Sequence, residues 1–229
     1  MSTASPVSLE KTVQVSFRNK DLLHQALTHR SAVRGRNALS HNERLEFLGD
    51  AVLELVATEY LFQYREKTEG ELTSWRAALV KGEHLAFVAR EIKLGEYLHM
   101  SRGEEASGGR DKESTLANGL EALIGAIFLD QGYEVARQFC NTFILVRLKG
   151  LLAQGKDKDE KSVFQERAQE VTGITPHYQV LSDSGPDHDK VFVCAVFIGT
   201  EQVAQGEGNS KQRAEQEAAK AGLKVKGWK

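Results

Sequence analysis

The chain has 229 residues, 41% hydrophobic and 27% charged, with a formal net charge of −2. That length and balance describe an ordinary folded protein with room for one large or two modest cores, and exclude a disordered or strongly polyionic chain. Any basic surface for nucleic acid must therefore be local. The N-terminal stretch MSTASPVSLEK has no apolar segment of the signal-peptide kind, and no apolar run approaches the ~18 residues of a membrane span. Cys140 and Cys194 stand far apart without CxxC partners, against both a disulfide framework and a zinc site. A cytoplasmic address and no membrane partner are the expectation.

From Leu9 to about Gly150 the hydrophobic period is helical. DLLHQALTHRS (21–31) puts Leu22, Leu23, Ala26 and Leu27 on one face. His24 and His29 in it read as structural. The stretch HNERLEFLGDAVLEL (41–55) predicts a helix with two faces. At about 100° per residue, Glu43, Glu46 and Asp50 fall within roughly 60° of one another. Leu45, Leu48, Val52, Leu55 and Val56 form the opposite, core-facing stripe. Aligned acids repel by tenths of a kcal/mol per pair, and a hard divalent cation with oxygen ligands would offset that. A solvated acidic face is the alternative. Gly49 costs about 1 kcal/mol against Ala in a helix interior, which points to a close approach of another backbone or a large side chain.

Residues 74–92 read as one long helical region with Thr73 or Ser74 as the cap, and 101–110, rich in Gly and Ser, as a loop. KESTLANGLEALIGAIFLDQG (112–132) predicts a strongly apolar helix carrying Asn118 and Glu121 three residues apart, on one face. Packed beside 41–55, it would let Glu46, Asp50, Asn118 and Glu121 converge on one ion. The alternative is a salt bridge from Glu121 to an Arg such as Arg44 or Arg76. FCNTFILVRLKG (139–150) closes an all-α first part, 1–154.

The charge run GKDKDEK then marks a linker, taken as 155–160, and the texture changes. In 161–229 a helix with Val163, Phe164, Ala168 and Val171 on its apolar side precedes three strand-like runs, HYQVLSD, KVFVCAVFIG and EQVAQGEG. A last helix is capped by Ser210. The expected architecture is a mainly α N-terminal domain with a smaller α-β-β-β-α domain after it.

NERLEFLGDAVL (42–53) closely resembles the signature of ribonuclease III, and LEALIGAIFLD (120–130) is similar to that family's second motif. The C-terminal part resembles the double-stranded RNA-binding domain of bacterial members. The resemblance covers about Leu9 to Leu223. It implies a Mg²⁺-dependent (or Mn²⁺-dependent) endonuclease, a homodimer acting on double-stranded RNA in rRNA and mRNA processing, leaving 5′-phosphate and 3′-hydroxyl ends with short 3′ overhangs. It implies that Glu46, Asp50 and Glu121 hold metal, with Asp50 and Glu121 catalytic, and that Glu43 and Glu69 are further acids. Phe47 would pack across the dimer interface, with ordinary core as its alternative. On the RNA side it implies Gln165 and Glu166 at one minor groove, His188 and Lys190 at the next, and Lys211 and Arg213 on the phosphates between. One position departs from the family. Where Ala-Asp-x-x-Glu-Ala is usual, this chain has Asn118, which offers a carbonyl oxygen but no charge. That motivates an alternative: a non-catalytic double-stranded RNA-binding protein with a weakened metal site.

Overall fold

The structure, a computed structural model, describes residues 6–33, 41–154, 160–185 and 190–228. Two compact units divide the chain, Met1–Asp157 and Lys158–Lys229.

The first unit is helical: α1 (Pro6–Val13), α2 (Lys20–Ala26), α3 (Glu43–Phe62), α4 (Glu69–Val80), α5 (Gly82–Glu91), α6 (Arg102–Ala106), α7 (Glu113–Gln131), α8 (Tyr133–Phe143) and α9 (Leu148–Ala153). Among its described residues the only β-type pairing is an isolated bridge between Thr28 and His99. Helix α7 is the axis. From Leu116 to Ile127 every residue but Asn118 and Glu121 is buried, and α2, α3, α5 and α8 pack around it. Each fully buried Leu or Ile contributes about 1.5–3 kcal/mol, so this one apolar helix organises the core.

Helices α3 and α7 meet backbone to backbone. A Cβ on Gly49 would run into the carbonyl of Glu121, and one on Gly125 into the carbonyl of Leu45. The two glycines remove the side chains that normally hold helix axes 8–10 Å apart. The close approach expected at Gly49 is therefore that of the α7 backbone.

Several local expectations are corrected. The region 74–92 is two helices, broken at Lys81, whose ψ of 136° is extended. The Lys81 carbonyl then accepts from His84 and Leu85 and opens α5, with poorly helix-forming Gly82 beside it. Helix α4 starts earlier than Thr73 or Ser74, at a capping box in which the Thr68 hydroxyl accepts from Glu71 N–H and the Glu71 carboxylate returns to Thr68 N–H. The stretch 101–110 contains α6, started by the Ser101 hydroxyl accepting from Glu104 N–H. Leu45, Val52 and Val56 are buried on α3 as expected, but Leu55 is 57% exposed.

The second unit runs α10 (Glu160–Thr172), β1 (His177–Ser184), β2 (Val191–Ile198), β3 (Glu201–Gly208) and α11 (Lys211–Lys226). The sheet is antiparallel in the order β1-β2-β3, with His177 opposite Phe197 and Phe192 opposite Gly208. Its core is Phe164 and Ala168 of α10, Val196 and Ile198 of β2, Val203 of β3, and Ala218 and Ala219 of α11. Small alanines at 214, 218 and 219 let α11 lie close on the sheet, and Ser210 caps it by accepting from Arg213 N–H at 3.2 Å. Val171, placed on the apolar side of α10 by its period, is 62% exposed. Glu160 begins α10, so the last residue assigned to the linker is helical; 155–159 lies outside the described residues.

Candidate active site and duplex-binding surface

The glycine crossing decides which side chains of α3 face which side chains of α7. Glu46 and Gly49 are three residues apart on α3, and Glu121 and Gly125 four apart on α7, so each acid lies about one helical turn from a glycine of the contact. Glu46, Asn118 and Glu121 are half-buried and Asp50 is exposed at the open edge. Burial and then the charge of Glu43 push Glu46 above the usual carboxylate value; the Asn118 amide, donating to the Glu46 carboxylate, partly offsets this, and Asp50 adds to the rise. Burial pushes Glu121 further, up to about 7, with the charges of Asp50 and then Glu46 adding to it. Glu46, Asp50 and Glu121 thus lie within reach of one another's charge, with Asn118 beside Glu46.

Among the described residues no three His, Cys, Asp or Glu side chains are clustered tightly enough to hold an ion as they stand. The donor set nevertheless fits a hard cation: three mutually repelling carboxylates and a neutral amide, with Glu121 raised by burial and by like charges. The alternative salt bridge to Glu121 is not found. Arg76 instead bonds Glu54 at 3.0 Å and the Thr58 hydroxyl at 2.9 Å, and no described ion pair joins Arg44 to Glu121.

Glu43 stands at the rim. Its carboxylate lies 3.3 Å from Arg30 and 3.7 Å from His41 Nδ1, and its charge still raises Glu46. Glu69 is not brought to the four. It opens α4 and lines a hollow of about 230 Å³ with Thr58, Leu61, Phe62, Leu72 and Arg76. Thr58 is eight residues beyond Asp50, about 12 Å along α3 at 1.5 Å per residue. Phe47 is 81% exposed, so the core alternative fails for it within this chain. His24 and His29 both make contacts within the fold. His24 stacks on His99 with ring centroids 5.0 Å apart, and His29 Nδ1 accepts from Ser31 N–H to cap the turn 30–32.

Arg30 was not visible to sequence reasoning as a site residue, because its partner Glu43 lies 13 positions on and no helical or strand period links them. Gly125 was also missed. Its signal was present, a glycine in the interior of a strongly apolar helix, four residues after Glu121.

In the second unit, Gln165 and Glu166 are exposed on α10 and border an open hollow with Gln169, Glu170 and Thr175. Lys190 lies 3.3 Å from Asp183 and over the Phe192 ring; His188 lies outside the described residues. Lys211 is the exposed first residue of α11. Arg213 is exposed too, but its stem lies against Gly208 of β3 and its head is 4.0 Å from Glu217. Two positions along a helix are about 200° apart, so Lys211 and Arg213 point to different sides.

A helical unit with acids from two crossed helices, followed by an α-β-β-β-α unit with an exposed basic helix start, defines a nuclease-like domain joined to a nucleic-acid-binding one. Known proteins agree. Residues 19–148 match the family model described as Ribonuclease-III-like, and residues 160–226 match the double-stranded RNA binding motif. The chain is 46% identical to the Ribonuclease 3 of Desulforamulus reducens over 93% of this chain and 87% of that one. It is 47% identical to the Ribonuclease 3 of Syntrophomonas wolfei over 90% and 88%. The nuclease domain of ribonuclease III from Campylobacter jejuni, solved in a work on structural flexibility in its region involved in dimer formation, superposes with a TM-score of 0.58 at 44% identity, covering 61% of this chain and 96% of that domain. The chain belongs to the ribonuclease III family, the double-stranded RNA endonucleases that carry a double-stranded RNA-binding domain. No described helix is long and apolar enough to cross a membrane.

Proposed function

We propose that this chain is a Mg²⁺-dependent endoribonuclease that cuts double-stranded RNA to 5′-phosphate and 3′-hydroxyl ends with short 3′ overhangs, as a cytoplasmic homodimer in rRNA and mRNA processing. The observation that carries the reading is the α3–α7 crossing, which sets Glu46, Asp50, Asn118 and Glu121 against one another with Glu121 held up to about 7. Glu46, Asp50 and Glu121 would hold the ion, with Asn118 as the neutral member; Mn²⁺, with similar oxygen preference, would substitute. A bound Mg²⁺ supplies an activated water and neutralises charge on the phosphate and the leaving oxygen. Asp50 is open to an incoming phosphodiester, while Glu121 anchors the set from the interior. Asn118 orients Glu46 by its amide bond.

Self-association is supported by α3 itself. Phe47, Leu55 and Phe62 are 81%, 57% and 80% exposed, and at 100° per residue they fall within roughly 80° of one another. An apolar stripe of that length on a helix marks a protein contact. In the second unit, Gln165, Glu166, His188, Lys190, Lys211 and Arg213 would read duplex shape and phosphates. The segments 1–154 and 161–229 would be separate domains joined by 155–160.

The test is incubation of the full chain with a long RNA duplex, with and without Mg²⁺, and end analysis of the products. Metal-dependent cutting to 5′-phosphate ends, reduced by orders of magnitude in Glu121→Gln while duplex binding persists, is the expected result. Tight duplex binding with no cutting at any Mg²⁺ or Mn²⁺ concentration selects the second reading, a non-catalytic binding protein weakened at Asn118.

A further inference from the structure

A mostly exposed arginine stands at the rim of a carboxylate site, held there by a stiff turn. Arg30 is the first residue of the turn 30–32, which His29 caps and to which the Ser31 hydroxyl ties residue 101, accepting Ser101 N–H at 3.0 Å. The bridge between Thr28 and His99, with His99 N–H donating to the Leu27 carbonyl at 2.8 Å, fixes the chain just before it. The guanidinium reaches Glu43 at 3.3 Å, at the long end for such a bond, and its side chain is 72% exposed. Exposed pairs of this kind contribute little to stability, so stability does not account for the placement.

Charge does. Arg30 is the cation whose charge is felt by Glu46, against the raising effects of Glu43 and Asp50, and it is felt across the rim by Glu104 as well. Lys112, a second cation whose charge Glu104 feels, is bound to Glu104 at 2.8 Å. A guanidinium has five donors, and among the described residues Arg30 uses one of them, on Glu43. The remaining fork is open to solvent and has the geometry that pairs two phosphate oxygens.

We propose that Arg30 is a substrate-contacting residue: it binds a phosphate of the RNA strand that enters the carboxylate site, seating the backbone against the repulsion of Glu43. The proposal rests on the nuclease reading above and adds to it a recognition group outside the metal-holding acids. Because the contact is to phosphate, it is independent of base sequence.

The experiment uses the full chain and a short duplex of defined sequence, with kcat, KM and the Mg²⁺ half-saturation measured for Arg30→Ala, Arg30→Lys, Glu43→Gln and the double variant Arg30→Ala/Glu43→Gln. Thermal unfolding checks that all remain folded. Arg30→Ala should lower kcat/KM by about tenfold, the worth of one charged contact. Arg30→Lys should recover part of it, the Mg²⁺ half-saturation should not move, and the loss should persist in the Glu43→Gln background. If the loss disappears once Glu43 is neutral, Arg30 acts only by screening that acid and the proposal fails. It also fails if Arg30→Ala leaves kcat/KM unchanged, or changes only the metal requirement. A wild-type chain that leaves duplex RNA intact overturns the nuclease reading and this proposal with it, whereas normal wild-type cleavage without an Arg30 effect overturns this proposal alone.

Discussion

Gly49 lies against the backbone carbonyl of Glu121 so closely that no Cβ can stand between them. The residue that most needs placing is thereby positioned by its own main chain rather than by its side chain. Gly49→Ala should gain about 1 kcal/mol of helix propensity and lose more to overpacking, which costs roughly 1–3 kcal/mol in a tight core. Because the obstacle is backbone, the helices must separate. The expected outcome is a lower Tm together with a loss of cleavage larger than the stability change explains, measured at a temperature where the variant is fully folded. A variant as stable and as active as wild type would mean the crossing is looser than it stands here.

The Glu121 carboxyl is raised from 4.5 to about 7 in the folded chain, mainly by burial and then by Asp50 and Glu46. Between those two values the folded state binds the proton more tightly than the unfolded state, so stability without metal falls as pH rises from about 4.5 to about 7. Because solvent screens a carboxyl that is partly open, the stability at stake is well below the roughly 3 kcal/mol that such a shift gives in full burial. Protons and metal compete for the same oxygens. Mg²⁺ should therefore raise Tm more at pH 8 than at pH 5.5. Glu121→Gln should flatten the pH dependence and remove most of the Mg²⁺ effect. Equal Mg²⁺ shifts at both pH values would separate Glu121 from the metal.

Which parts of this were legible before the fold was known follows from the range of the signals. The 3.6-residue period found α3 and α7, and β-branched and aromatic runs between turn residues found the three strands of the second unit. The same period put Leu55 and Val171 in cores, where both are exposed; apolar spacing marks a face that is covered and says nothing of what covers it. The break at Lys81 carries no proline and only Gly82 as a cue, so two helices read as one. Of the acids, Glu46, Asp50 and Glu121 were singled out as candidates by spacing along their own helices, whereas the Arg30–Glu43 pair depends on how a loop returns to a helix start. Glu69 was named by likeness alone, since no period along the chain marks it, and it lines a hollow with Phe62 and Arg76.

Phe47 and Phe62 are each about four-fifths exposed on one side of α3. If that stripe joins two copies, Phe47→Glu should place a charge in an apolar contact and weaken it by several kcal/mol. Sedimentation should then show a monomer at concentrations where wild type is dimeric, with the helical far-UV signal unchanged because the Phe47 side chain is mostly exposed within its own chain. A wild type that sediments as a monomer at every concentration, or a Phe47→Glu dimer, removes the stripe as the interface.

The two units have separate cores, and α9 ends at Ala153 before the charge run. Residues 1–154 should therefore fold alone and still cut duplex RNA. Their binding should weaken at physiological salt and lose salt dependence, since the phosphate contacts of the second unit are gone. An insoluble 1–154 fragment, or one that binds duplex as tightly as the full chain, would contradict this division.

Asn118 donates its amide to Glu46 and so partly relieves the repulsion among the acids when no metal is bound. Asn118→Asp replaces that donor with a fourth negative charge. Two effects then oppose each other: the metal-free site becomes more strained, and its attraction for Mg²⁺ increases. At ligand distances Coulomb terms are large, on the order of 4 kcal/mol at 4 Å near a protein surface, and the added charge acts on a divalent ion but only on monovalent neighbours. Attraction should win. Asn118→Asp should lower the Mg²⁺ concentration for half-maximal cleavage, lower the Tm of the metal-free protein at pH 8, and leave duplex binding without metal unchanged. If wild type is inactive at every Mg²⁺ concentration and Asn118→Asp restores cutting, the natural chain is a binding protein. If neither metal dependence nor rate changes, the Asn118 side chain stands apart from the ion, and its bond to Glu46 is its whole contribution.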